Sequence, residues 1–520
     1  MPDLLNLLHD IVGDLGLLTG AEAQERPADW LGQTRCKAAA IVRPKSTEEL
    51  SAVMKACHDA RQPVVAAGGL TGLVHGADAS ANELIVSFER MNQIEQIDPV
   101  ERTITVQAGV RTEAAQVTAR DQGVLFAVDL GARGSSTIGG NISTNAGGNQ
   151  VLRYGMMREQ VLGLEAVLAD GTILSAMSPL MKNNTGYDLK QLFVGSEGTL
   201  GLVTRAVLRL HPLPTSEATA LAAVKDLTSV AELLRLMDAK LCGTLTAFEV
   251  MWNSFYRTIV VEGGRHTAPL SPGSPYYVLM EANGGDPDID SDRFNRALEA
   301  AIAAGLVEDA VIASSSPQRD GLWAIREDVG GLVQALSPFC TFDVSLPIRA
   351  MENYVQAVEV AIFERFERDS NMVVFGHLGD GNLHLLIAPR PWSDEARQHT
   401  ERIVYETLAK VGGSVSAEHG IGLEKKDWLS LTRSREEIAL MRRLKAALKL
   451  CPRQRAHLPQ ERLQRRIAAL IAQLPDLAQK PAPRQVGKRR HPFRQIHRIG
   501  IQHCGSCCAR AVTWGLQTPF

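Results

Sequence analysis

The sequence predicts an α+β chain, and three observations carry that prediction. Gly/Ser/Thr/Asn-rich blocks interleave with β-rich runs in the first half, and amphipathic helices alternate with strands in the second. The third observation is a hairpin signal, FGHLGDGNLHLLI from Phe375, which sets His377 and His384 on either side of a tight turn. At 520 residues the chain is too long for one hydrophobic core. The patterns divide it into a helical segment (1–37), a glycine-rich domain (38–215), a domain built on an antiparallel sheet with helices (216–448) and an atypical basic tail (449–520).

The first segment, MPDLLNLLHDIVGDLG, carries acids where a signal or transit peptide needs bases, and it reads as an amphipathic helix. No apolar run approaches the roughly 18 residues of a membrane span. The expectation is a cytoplasmic protein, with attachment to the membrane surface as the alternative. Eight cysteines show no framework spacing in the main body, so reduced thiols are expected.

From Ile41 the pattern is strand, helix, strand. AAAIVRP is followed by STEELSAVMKACHDARQ, with Ser46 as N-cap and Glu49 completing a capping box, and then by PVVAAGG. The loop AAGGLTGLVHGAD (66–78) is neither a dinucleotide fingerprint nor a P-loop, yet its small residues let backbone N–H groups approach an anion. A sharp structural turn explains it equally well. The second block, DLGARGSSTIGGNISTNAGGNQVLRYG (129–155), has too few large apolar groups to order itself by burial. It is either a flexible linker or a segment ordered by something else. The hairpin VLGLEAVLADGTIL, turning at Asp170-Gly171, argues against a linker, and a third polar block (182–212) ends in another strand. Three such blocks interleaved with strands suit one large polyphosphate ligand.

In the second half, with Gly379 to Asn382 as the loop, His377 would face His384, their Cβ atoms roughly 5 Å apart on one face. Two imidazoles so placed can share a metal ion, or each can be a satisfied polar residue of a surface hairpin. The candidate third ligand is Glu418 in GGSVSAEHGIG, next to His419. Neighbours in extended chain point opposite ways, which separates their roles.

The blocks GGLTGLVHG, STIGGNISTNAGG and LFVGSEGTLGLVT resemble, in order and spacing, the PCMH-type FAD-binding domain of the vanillyl-alcohol-oxidase-type flavoproteins. The resemblance implies a two-subdomain FAD-binding fold. It places the FAD pyrophosphate on Gly68, Gly69, Thr71 and Gly72, and the ribityl chain and flavin ring along Thr137, Gly139, Gly140, Asn141, Ser143, Thr144 and Gly147, with Val203 in the strand that follows. Some relatives attach the flavin covalently through a histidine just after the paired glycines. Leu70 stands there in this chain, so non-covalent FAD is implied.

The second half resembles the FAD-linked oxidase C-terminal domain of D-2-hydroxyacid dehydrogenases, a group that includes D-lactate and D-2-hydroxyglutarate dehydrogenases and the glycolate oxidase flavin subunit. Their pattern H-x6-H followed by E-H implies that His377, His384 and Glu418 bind a divalent cation, Zn²⁺ or Mn²⁺, with His419 as substrate-binding base. Arg326, in LWAIRED, is the candidate clamp for the substrate carboxylate, because a guanidinium bonds a carboxylate bidentately. The alternative for Arg326 is a helix-surface salt bridge with Glu327 or Asp328. The implied activity is FAD-dependent oxidation of a D-2-hydroxy acid. Alternatives are a D-2-hydroxyglutarate dehydrogenase, a glycolate-oxidase-like subunit of a complex, or a weakly active FAD binder. Electrons would pass to a quinone, a cytochrome or an electron-transfer flavoprotein; a homodimer is compatible with the sequence, and no specific nucleic-acid partner is expected.

Two departures from the family pattern matter. Members preferring five-carbon diacids carry Lys in the position of Thr341 and Asn in the position of Leu386, which directs the expectation here to a less polar substrate, D-lactate being the simplest. The family's closing motif, with its Asn-Pro-Gly-Lys, is absent after LMRRLKAAL. Synonymous codons would allow that motif to be written one frame away across 453–463, so the tail is expected to be a frameshift product, to be tested on the coding DNA. Residues 449–520 hold 14 Lys or Arg against Glu461 and Asp476, a charge of +12 beside −15 elsewhere. A basic arm for nucleic acid or anionic membrane is the functional alternative.

Overall fold

The computed structural model describes residues 2–448 except 31, 33, 367 and 368. The expectations for the basic tail lie outside the described residues.

The chain opens on the amphipathic helix Pro2–Val12, which buries Leu8 and Val12. The first sheet has the order β1 (Leu17–Thr19), β2 (Ala40–Val42), β4 (Leu84–Ser87), β3 (Val64–Ala67), with β2, β4 and β3 parallel. The strand β1 therefore ties the N-terminal segment into the sheet of the domain that follows. The helix Thr47–Asp59 lies on this sheet because Leu50, Val53, Met54 and Cys57 recur at helical spacing and are buried in one cluster with β2 and β4. Ser46 caps it by accepting from the Glu49 backbone N–H at 3.2 Å. The Glu49 carboxylate takes the Lys45 N–H at 2.9 Å, one residue before the cap, so the capping box closes one position early.

The second sheet contains β5 (Ile94–Asp98), β6 (Thr103–Gln107), β8 (Val161–Val167), β9 (Ile173–Ala176) and β10 (Leu202–Arg209). Their order is β5-β6-β10-β8-β9, and the short β7 (Val124–Leu125) pairs separately with β11 (His211–Pro212). The turn between β8 and β9 falls at Asp170-Gly171 as the sequence indicates, with Gly171 at φ +84°. The second glycine-rich block is ordered, with two short helices, Ile138–Thr144 and Val151–Tyr154.

The third sheet comprises β12 (Ser216–Val224), β13 (Leu245–Trp252), β14 (Tyr276–Gly284), β15 (Asp309–Ile312), β16 (Cys340–Ser345), β17 (Asn371–His377) and β18 (Asn382–Ala388). It is antiparallel throughout, in the order β15-β12-β14-β13-β17-β18-β16. Both faces are covered, so its strands read as nearly continuous apolar runs. On β14, Tyr276, Val278 and Met280 face a layer containing the helices Leu227–Leu241 and Ile348–Arg365. Tyr277 and Leu279 face the opposite layer, with Phe255, Leu322 and Leu332. Among the described residues Cys36, Cys57, Cys242 and Cys340 are free thiols, and no helix is long and apolar enough to cross a membrane.

Candidate functional site

Four neighbouring strands of the third sheet, β13, β17, β18 and β16, each place one acid or histidine on the same face: Glu249, His377, His384 and Asp343. The face is the one that carries Phe375 and Leu386 into an apolar layer, so charge here lacks water and must be paired within the protein.

The hairpin corrects the sequence-based register. Phe375, not His377, pairs with His384, and His377 pairs with Glu249 on the other side. The connection has the four residues the sequence suggested but starts one position earlier, with Leu378–Asp380 forming a 3₁₀ turn closed by Gly381 at φ +86°. A side chain at Gly376 would collide with the Asn382 carbonyl, so only glycine lets the strands close at this point. The displacement is two residues, which preserves side-chain parity. The two imidazoles therefore remain on one face, with ring centroids 5.4 Å apart.

The loop after the helix Asp394–Lys410 brings Glu418 and His419 to this pair. His377, His384 and Glu418 each offer a ligand atom within 4.8 Å of the others, a spacing that one cation can bridge. Asp343, His384 and His419 form a second such group. Of the Asp343 carboxylate, Oδ2 is already committed, whereas Oδ1 is buried without a hydrogen-bond partner among the described residues. Oδ2 accepts the backbone N–H groups of Ala417 (3.1 Å), Glu418 (2.9 Å) and His419 (2.9 Å), and Lys425 Nζ lies 3.7 Å away. Glu418 accepts a single N–H, from Gly148 to Oε1 at 2.8 Å, which leaves Oε2 available as a ligand.

Behind each histidine of the hairpin stands a buried acid. Glu249 Oε1 accepts from His377 Nδ1 at 2.7 Å, and Asp343 Oδ1 lies 3.9 Å from His384 Nδ1. Burial disfavours the His377 imidazolium, but Glu249 outweighs it and holds the pKa up at about 9. A cation bound at Nε2 must therefore displace a proton. For His384, burial together with the nearby His377 charge pushes the pKa down, keeping a lone pair free. Burial also raises Asp380, in the turn, to about 7. The His419 ring stacks beside His384, centroids 5.9 Å apart and planes 15° from parallel.

Arg326 ends the helix Ser316–Arg326 and is buried. It makes neither of the surface salt bridges open to it in sequence. Glu327 accepts from Asn149, Asp328 pairs with Arg265 and His266, and Arg326 donates Nε–H to Glu249 Oε2 at 3.0 Å, with Nη2 in ion-pair contact with the same oxygen at 2.7 Å. The guanidinium lies over the Phe375 ring at 4.6 Å, and among the described residues Nη1 has no hydrogen-bond partner. One carboxylate thus joins the candidate clamp to the candidate metal ligand. Sequence reasoning missed both Glu249 and Asp343. The available signal was an acid interrupting an otherwise apolar strand, LTAFEVMW and CTFDVS.

In the N-terminal half, Gly68, Gly69 and Thr137 line one cavity of about 590 Å³ together with Leu70, Arg111 and Ser135. A Cβ at Gly69 would collide with the Ser135 carbonyl. The Thr137 hydroxyl is buried without a partner, as expected of a donor kept for an anionic group. Thr71 and Gly72 do not line this cavity. Gly139 packs on Ala108, Asn141 donates to Thr112 Oγ1 at 2.7 Å, and the hydroxyls of Ser143 and Thr144 bond back to Gly139 and Gly140. Gly140 lies close to the Thr137 hydroxyl, and Val203 is in the core of the second sheet. Gly147 packs directly on the Glu418 carboxylate, which brings the second glycine-rich block against the histidine cluster.

Comparison with known proteins agrees with this arrangement. Residues 38–176 match the FAD binding domain family, and residues 213–449 match the family of FAD linked oxidases, C-terminal domain. The mitochondrial D-2-hydroxyglutarate dehydrogenase of Bos taurus is 38% identical over 433 residues, covering 83% of this chain and 79% of the relative. The D-2-hydroxyglutarate dehydrogenase of Xanthomonas citri pv. viticola is 38% identical over 435 residues, covering 82% and 90%. The structure of p-cresol methylhydroxylase with substrate bound superposes with a TM-score of 0.68 at 14% identity, covering 86% of this chain and 93% of that one, which shows the shared fold. With both halves matched and more than four-fifths of the sequence aligned at this identity, the chain belongs to the FAD-linked oxidase family that includes the D-2-hydroxyglutarate dehydrogenases, and is an FAD-dependent oxidoreductase acting on CH–OH groups.

Proposed function

We propose that the chain oxidises a D-2-hydroxy acid to the 2-oxo acid, with His377, His384 and Glu418 holding a Zn²⁺ or Mn²⁺ ion. One observation carries this reading: three ligand groups converge within 4.8 Å, beside a stacked imidazole and one carboxylate away from a buried guanidinium. When bound, the flavin supplies a two-electron acceptor for the hydride leaving the substrate carbon, and the cation supplies Lewis acidity that lowers the pKa of the substrate hydroxyl.

The protein's own residues do the rest. Arg326 binds the substrate carboxylate through its free Nη1, while Glu249 fixes the guanidinium plane. Glu249 also keeps the proton of His377 on Nδ1 and so presents Nε2 as a ligand. His419 takes the hydroxyl proton. Asp343, 3.9 Å from its Nδ1, stabilises the imidazolium that forms. The paired glycines and Thr137 receive the FAD pyrophosphate, and Leu70 offers no group for a covalent flavin bond. Two outcomes follow: acid denaturation releases intact FAD, and Gly69→Ala protein purifies without the yellow flavin absorbance because its methyl collides with the Ser135 carbonyl and forces apart the two loops that line the cavity.

Substrate choice rests on Thr341 and Leu386. These residues pair across β16 and β18, next to the Asp343 and His384 pair and on the same face. Neither carries a charge for a distal carboxylate, and the neighbouring wall is apolar, with Val373 and Phe375. A substrate with a short or apolar side chain, D-lactate being the simplest, fits best. D-2-hydroxyglutarate is the second reading, favoured by the names of the relatives. Anaerobic flavin reduction across D- and L-2-hydroxy acids tests both. Reduction by D-lactate ahead of D-2-hydroxyglutarate is expected, and the reverse order would reject the short-substrate assignment. The double substitution Thr341→Lys, Leu386→Asn should move kcat/KM toward the diacid by roughly 10- to 100-fold, the worth of a charge-assisted hydrogen bond.

A further inference from the structure

The loop bearing Glu418 and His419 is fastened to all three glycine-rich blocks of the N-terminal half. The Leu423 N–H donates to the Val74 carbonyl of the first block at 3.0 Å, and the Gly148 N–H of the second donates to Glu418 Oε1 at 2.8 Å. The third block supplies Glu197. Its Oε1 accepts the Ile421 N–H at 2.9 Å, and its Oε2 accepts the Gly422 N–H at 2.8 Å.

Gly420 and Gly422 have φ of +84° and +50°, which turns successive N–H groups inward as an anion-binding nest. The anion filling that nest is a side chain of the same protein. A Cβ at Gly420 would lie 2.9 Å from Glu197 Cδ, and one at Gly422 would collide with the Val74 carbonyl, so the close approach requires both glycines.

Glu197 is itself at φ +51°, a left-handed conformation that a residue with a side chain seldom adopts and that persists only where its surroundings hold it. The hold comes from its own N–H, which donates to the Ser143 carbonyl at 2.7 Å, inside the short helix that follows Thr137. A continuous path of hydrogen bonds thus runs from the flavin block through Glu197 to the loop of the ligand and the base.

We propose that Glu197 is a positioning residue that transmits order from the FAD-binding blocks to Glu418 and His419, so that bound FAD tightens the divalent-cation site. The proposal rests on the metal reading given above. Coupling of this kind is reciprocal and has a typical size of about 5- to 150-fold in affinity.

The test is Zn²⁺ affinity of the full chain, measured by competition with a chromogenic chelator, with FAD bound and after FAD removal. Wild-type protein is expected to bind Zn²⁺ about 5- to 150-fold more tightly with FAD present. Glu197→Gln, which sets an amide NH₂ against one of the two backbone donors, should still bind Zn²⁺ but lose most of that difference. Equal affinity of the wild type in both states would overturn the proposal without recourse to any variant, as would an undiminished FAD effect in Glu197→Gln. His377→Ala separates the two layers of the argument. If it leaves Zn²⁺ affinity unchanged, the metal reading fails and the proposal falls with it. If it abolishes Zn²⁺ binding while the wild type shows no FAD effect, only the coupling is overturned.

Discussion

His419→Gln should slow anaerobic flavin reduction by D-2-hydroxy acids by about 10²- to 10⁴-fold, the usual contribution of a positioned general base. Flavin content and bound metal should stay at wild-type levels, because His419 belongs to neither the cavity of the paired glycines nor the group of His377, His384 and Glu418. Stopped-flow absorbance of the flavin, with metal analysis of the same samples, checks both halves of the prediction. The second half is the sharper one. A cation seated instead by Asp343, His384 and His419 would be lost along with the imidazole. The three backbone donors on Asp343 Oδ2 leave only its buried Oδ1 for that seat, so the metal analysis decides between the two groups.

Glu249→Ala is expected to destabilise the protein by about 3–5 kcal/mol, since removing one member of a buried ionic pair strands the other in a low-dielectric interior. Two partners are stranded here, Arg326 and His377. The thermal unfolding midpoint should fall, and metal content should fall with it, because His377 loses the group that fixes its tautomer. Glu249→Gln keeps the shape and separates these effects. It retains an acceptor for His377 but removes the charge facing Arg326, so it should recover part of the stability while substrate KM remains raised. Wild-type midpoints in both variants would mean that the pair is solvated in solution, contrary to its burial.

Much of this site is legible in the sequence because its parts are local. A glycine-flanked turn between apolar runs, a Glu-His pair between glycines and three polar blocks set among strands all announce themselves within a dozen residues. Parity explains why even the misjudged hairpin register did no harm. A shift of two along a strand returns each side chain to the same face, whereas a shift of one would have pointed His384 into the opposite layer. What the sequence could not show is held by residues far apart in the chain. Glu249 meets His377 across 128 positions, and Glu197 meets Ile421 across 224. No periodicity encodes such pairs. Arg326 illustrates the consequence: its local neighbours offered Glu327 and Asp328, and the fold supplied a more deeply buried acid from another strand. For Asp343 and Glu249 a weak signal existed, since an acid inside a continuous apolar strand must find buried partners.

The central claim is that a divalent cation held by His377, His384 and Glu418 takes part in the oxidation. It is tested most directly by stripping metal from FAD-loaded protein with a chelator and timing anaerobic flavin reduction before and after Zn²⁺ or Mn²⁺ is returned. The expected result is slow reduction without metal, recovery on its return and no recovery in His377→Ala. Metal-free protein that still holds FAD and is reduced at the original rate would contradict the account.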